Sequence, residues 1–136
     1  MTFKFLSIIV LGVMAFVRHE LLWAESCPER IFTVQSLKVN HRGWETGIDD
    51  TQSPLVSIRI SDGDPKELAW LIPDKTLKGG TQEWVLPLSI RGYWIVCGYA
   101  NTAVVLTKKI ENKAKKCRVY FDRNFNPPIA SKYVCE

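Results

Sequence analysis

Gly92-Tyr93-Trp94-Ile95-Val96-Cys97-Gly98-Tyr99 is the stretch that decides the class of this chain. Strict alternation puts Tyr93, Ile95, Cys97 and Tyr99 on one face and Trp94 and Val96 on the other. Aromatic and β-branched residues at period two fill strands, not helices. Ala100-Asn101-Thr102 follows as a tight turn, and residues 103–109 supply the next strand through Val104, Val105 and Leu106. Residues 112–116 lead to 117–122, where Cys117, Val119 and Phe121 alternate, and 131–135 close with Tyr133 and Cys135 in phase. Residues 92–135 therefore read as a four-strand antiparallel meander.

Working outward, three more strands precede it. Residues 30–39 contain Ile31, Phe32, Val34, Leu37 and Val39; residues 55–61 place Val56, Ile58 and Ile60 opposite Ser57 and Arg59; residues 83–88 alternate Trp84, Leu86 and Leu88. The long links are 41–54 and 62–82. The second holds Pro65-Lys66-Glu67-Leu68-Ala69-Trp70-Leu71, a short helix with Pro in its first turn, ended by Pro73. The expectation is an all-β, mainly antiparallel domain: a small β-sandwich or bent meander of about seven strands with one short helix.

The N-terminus carries an address. Lys4 precedes an uncharged apolar run, residues 5–17, which Arg18, His19 and Glu20 interrupt. That is the layout of an export signal. The run is short of the roughly 20 residues that cross a bilayer, and an anchor extended through Leu21, Leu22 and Trp23 would enclose three polar residues. Cleavage is expected after Ala24, with Ala15 as the other candidate. Residues 1–24 then form a signal peptide and 25–136 a single β-rich domain in the periplasm or outside the cell, with no stable membrane span. Lipidation of Cys27 is disfavoured by Glu25 in the segment before it.

Residues 1–24 hold Lys4, Arg18 and Glu20, so the remainder carries one positive charge fewer than the full chain's formal +4, that is +3. So mild a balance does not indicate a nucleic-acid protein, which would show a basic stripe. The one basic run, Lys108-Lys109-Ile110-Glu111-Asn112-Lys113-Ala114-Lys115-Lys116, reads first as a solvated hairpin loop with gatekeeping lysines, and second as a docking patch for an acidic partner or an anionic envelope surface.

All four cysteines, Cys27, Cys97, Cys117 and Cys135, follow the leader. An even count in an exported chain reads as two disulfides. Metal binding lacks both a Cys-x-x-Cys pair and histidines: only His41 survives cleavage. Cys117 and Cys135 flank the turn-rich Asn124-Phe125-Asn126-Pro127-Pro128, so a hairpin would set them face to face; Cys27–Cys97 follows by elimination.

No catalytic constellation emerges. His41 sits in a polar loop, no Gly-x-Ser-x-Gly elbow exists, and Gly79-Gly80 lacks the lysine of a phosphate loop. Asp49-Asp50 and Asp62-Gly63-Asp64 are first of all turn sequences; a carboxylate pair for glycoside hydrolysis and a calcium loop are the sharper readings, and calcium-loop spacing is absent. No cofactor is implied. Trp84 and Trp94 belong to strand patterns and to packing, whereas Trp44, in Arg42-Gly43-Trp44, is the tryptophan to expect at the surface, as a protein-binding anchor or a sugar platform.

Cys27-Pro28, Gly43-Trp44, Ser61-Asp62-Gly63-Asp64-Pro65, Trp84, the Trp-x-x-Cys-x-Tyr element at Trp94, Cys97 and Tyr99, and the later Cys117 and Cys135 form a pattern over nearly all of residues 25–136. It resembles a family of small exported proteins of Gram-negative bacteria labelled hypothetical periplasmic proteins. The resemblance implies a location and a β-rich fold and brings no catalytic residues. In size, compartment and disulfide use the chain is also similar, as a class, to periplasmic lysozyme inhibitors. The expected function is thus a non-enzymatic binding protein of the envelope: an inhibitor of a lysozyme-type cell-wall hydrolase, or immunity to a delivered toxin. Its loops would meet a protein partner through Arg42, Trp44, Asp49, Asp50, Asp62 and Asp64. A small-ligand or glycan binder and a small carboxylate-dependent hydrolase are the alternatives.

Overall fold

The structure is a computed structural model and describes residues 26–45 and 52–136. The expected signal peptide, residues 1–24, with its expected cleavage site, and Asp49 and Asp50 lie outside the described residues. Those described form eight strands: β1 (Arg30–Ile31), β2 (Ser53–Asp62), β3 (Lys75–Thr76), β4 (Gln82–Val85), β5 (Tyr93–Tyr99), β6 (Val105–Lys109), β7 (Lys116–Asp122) and β8 (Ile129–Cys135). Every pairing is antiparallel, in two sheets ordered β1-β2-β5-β6 and β3-β4-β7-β8.

The alternation along β5 decides the packing. Ile95 stands opposite Ile60 and Cys97 opposite Ile58, so one apolar face is built from both strands. Against it the second sheet sets Trp84, Cys117, Val119, Ala130 and Tyr133, forming one core cluster with β2 running over β8. Each fully buried aliphatic side chain here stabilises by roughly 1.5–3 kcal/mol. A bulge between Leu55 and Ser57 shifts the phase at the start of β2. Leu55, not the expected Val56, therefore joins Ile58 and Ile60 in the core, while Val56 is half-buried. Gly98 is required by the neighbouring strand: a Cβ there would stand 2.3 Å from Ser57 Oγ.

Besides Val56, four sequence expectations are corrected. The single meander over 92–135 is two hairpins in different sheets. β6 pairs only with β5, and β7 pairs with β4 and β8. The 110–115 connector crosses between sheets, tied at one end by the Ile110 N–H to Tyr93 O and at the other by the Lys115 N–H to Glu136 O. The strand over 30–39 shrinks to Arg30–Ile31, because its partner β2 starts at Ser53 and the ladder ends at Ile31↔Ser53. The strand over 83–88 stops at Val85: the Leu86 N–H makes a last in-register bond to Lys115 O, and Pro87 has no N–H to continue the ladder. The short helix is one 3-10 turn, Pro65–Glu67, stopped by Leu68 in the left-handed conformation (φ 57°) before Pro73 is reached.

Both disulfides form as Cys27–Cys97 and Cys117–Cys135. The second closes the β7–β8 hairpin at a directly opposed pair. The first ties the N-terminal segment to the middle of β5, helped by the Tyr99 hydroxyl donating to Pro28 O at 2.9 Å. On loop closure alone, separations of 70 and 18 residues correspond to about 4 and about 3 kcal/mol. No helix among the described residues is long and apolar enough to cross a membrane.

Candidate functional site

The two long links leave from opposite ends of β2. The 41–54 link enters at Ser53 and the 62–82 link departs after Asp62. Ten residues of strand separate these ends by about 30 Å. Arg42 and Trp44 therefore belong to one loop, and Asp62 and Asp64 to another rooted at the far end. No hydrogen bond or ion pair among the described residues joins the two groups. Trp44 is 82 % exposed, its N–H bonded to His41 O, and Arg42 is exposed beside it.

Asp62 and Asp64 have local partners. Asp64 Oδ1 accepts from the Lys66 N–H at 2.9 Å and so caps the 3-10 turn. Asp62 Oδ1 accepts from Ser89 Oγ at 3.0 Å, and its other oxygen lies 3.8 Å from Arg91 Nη1. Arg91 Nη2 donates to Glu67. The guanidinium thus locks the 3-10 turn against loop 86–92. Gly63 (φ 86°) lies under it: a Cβ there would meet the guanidinium nitrogens at 2.7 Å. A second clamp runs from the Gly63 N–H to Gly92 O at 2.8 Å. The carboxylates expected to face a partner are thereby built into the frame that shapes the loops.

Loop 86–92 is held from inside. Leu86 is buried at 4 % exposure. The Tyr93 hydroxyl donates to Pro87 O at 2.9 Å, Ser89 Oγ accepts from the Arg91 N–H, and Ser89 O accepts from the Gly92 N–H. Burial first, and then the Asp62 carboxylate, hold the Tyr93 phenol above its ordinary pKa, with Ser89 acting the other way. It stays protonated and keeps its donor role. Between these anchors Leu88 and Ile90 point wholly into solvent, at 96 % and 105 % relative exposure. Leu68, one residue from the Glu67 end of the ion pair, is 66 % exposed in its left-handed conformation. A branched side chain there costs about 1–2 kcal/mol, a strain that clusters at functional positions.

Leu68, Leu88 and Ile90 are thus three exposed apolar side chains carried on one braced frame, in the two segments that the Arg91–Glu67 ion pair ties together, and they are called the platform below. Apolar side chains held out from a rigid backbone bind proteins well, because little order is lost on contact. Behind Leu88 lies a groove of about 390 Å³ between loop 86–92 and the 110–115 connector. Sequence reading missed this platform by placing Leu88 in a strand, in phase with Leu86. The signal was Pro87, which ends the ladder between them. Among the described residues no three His, Cys, Asp or Glu side chains gather as for a metal ion.

A family model described as Type VI secretion system Tli immunity protein matches residues 50–136, which span β2 to β8 and the whole platform. Cys27, β1, Arg42 and Trp44 precede the matched segment. No curated protein and no solved structure matches the chain.

Proposed function

The chain belongs to the type VI secretion system Tli immunity protein family, and on that premise we propose that it neutralises a toxin delivered by such a system by binding it directly, in the periplasm, after loss of residues 1–24. The family match carries this reading. The docking face is the Leu68–Leu88–Ile90 platform, which lies inside the matched segment. Asp62, Asp64, Glu67 and Arg91 brace it from below. Arg42 and Trp44 lie in a link rooted at the other end of β2, and their share in binding, like that of Asp49 and Asp50, is tested apart.

The test uses the mature, oxidised protein and the toxin encoded beside its gene. Co-expression in the periplasm should rescue growth from the toxin, and the purified pair should form a stable complex. A toxin that kills equally with and without the protein, and does not bind it, refutes the reading. Lysozyme is assayed in parallel: inhibition of lysozyme without protection from the toxin would shift the target to a lysozyme-type cell-wall hydrolase.

A further inference from the structure

Resting on the immunity reading, we propose that the groove beside the platform receives an extended segment of the toxin in which an apolar side chain is flanked by carboxylates. The groove floor is apolar: Leu86 and Ile110 are buried, and Tyr93 and Ala114 half-buried. One bank is loop 86–92, ending in the exposed Leu88. The other is the 110–115 connector, a fixed wall tied by Ile110 to Tyr93, Ala114 to Glu111 and Lys115 to Glu136 through backbone hydrogen bonds.

The charge along that wall selects the occupant. Lys113 and Lys115 stand on it, and Glu111, the single carboxylate among the lining residues, is paired with Lys113 at 3.1 Å. The Lys115 ammonium makes no ion pair with a side-chain carboxylate among the described residues, while its backbone N–H is bonded to the Glu136 main-chain oxygen. Lys109, though not a lining residue, lies across the lining residue Gly92, where a Cβ would come within 3.1 Å of its Cε, and adds a cation next to that end of the groove. Arg91 offers nothing to a ligand's carboxylate, since Asp62 and Glu67 already occupy it. Two lysines against one glutamate leave the wall with one net positive charge, carried by Lys115, and an apolar floor beside that charge is complementary to an apolar residue next to Asp or Glu and repels a basic segment. Exposed lysines act mainly by steering encounter, so the effect is expected in the association rate.

The test is surface plasmon resonance with the toxin encoded beside the gene, at low and high salt. K113E/K115E should slow association about tenfold at low salt, change dissociation little, and flatten the salt dependence. K113Q/K115Q should fall between it and wild type. K78E/R123E makes the same change in net charge at the opposite end of β7 and should leave association unchanged. Wild-type protein that does not bind the toxin overturns the immunity reading and this proposal with it. Wild-type binding that is indifferent to K113E/K115E, or slowed equally by K78E/R123E, overturns the groove proposal alone.

Discussion

Leu86 and Leu88 are two residues apart, one buried and the other wholly exposed, so truncating each to Ala separates folding from the proposed binding. Leu86 is 4 % exposed in the core, and its loss leaves a cavity worth about 2–5 kcal/mol of stability. Leu88 and Ile90 are wholly exposed, so L88A and I90A should each leave stability within about 0.5 kcal/mol of wild type. If both are buried against the toxin, each truncation removes three carbons at about 0.8 kcal/mol apiece, or about 2.4 kcal/mol. That corresponds to roughly 60-fold weaker binding per site, since 1.4 kcal/mol is tenfold. Urea unfolding and titration calorimetry with the toxin measure the two quantities on the same samples. Toxin affinity indifferent to L88A/I90A, with unfolding unchanged, would refute the platform as the docking face. A large loss of stability in L88A would refute the description of loop 86–92.

Four further outcomes are expected. Replacing the Cys27–Cys97 pair by serines should lower stability by about 4 kcal/mol and the Cys117–Cys135 pair by about 3 kcal/mol, read from urea unfolding; the reverse order would show that loop length does not set these contributions. Gly98→Ala should destabilise by about 1 kcal/mol by driving Ser57 from its rotamer, and G98A/S57A should recover the loss; no recovery would mean that Ser57 is not the obstacle. The Glu136 carboxyl is held below its ordinary pKa, first by its hydrogen bond from Lys116 and then by that charge, so its contribution is present above the ordinary carboxylate pKa and lost as pH falls through the lowered one. An NMR titration should show the Glu136 midpoint rising in Lys116→Met, and an unmoved midpoint would exclude the pairing. Trp44→Ala should leave toxin binding unchanged, because its loop joins β2 at the end opposite the platform; a clear loss would extend the docking face to that loop.

The all-β class and the two disulfides were legible in the chain's local pattern. Period-two alternation in 93–99 and 117–122 states which side chains share a face, and the structure places Ile95 and Cys97, and Cys117 and Val119, in the core as that period requires. The turn-rich segment between Cys117 and Cys135 implied their pairing, because a hairpin centred there sets them opposite one another. Which strands are neighbours depends on packing between distant segments. Local pattern says that β6 and β7 are strands joined by a short connector, and a meander is the simplest solution. The actual solution sends the connector across the core, because the apolar face of β5 must be covered by a second sheet and β7 is needed there between β4 and β8. The same limit hid the platform. Leu88 and Ile90 look like core residues to any reading based on hydrophobicity, and Asp62 and Asp64 look like free acidic contacts. Exposure and pairing are properties of the assembled surface: Pro87 releases the chain from the sheet, Ser89 and Arg91 draw it against Asp62 and Glu67, and the aliphatic side chains between them are left facing solvent.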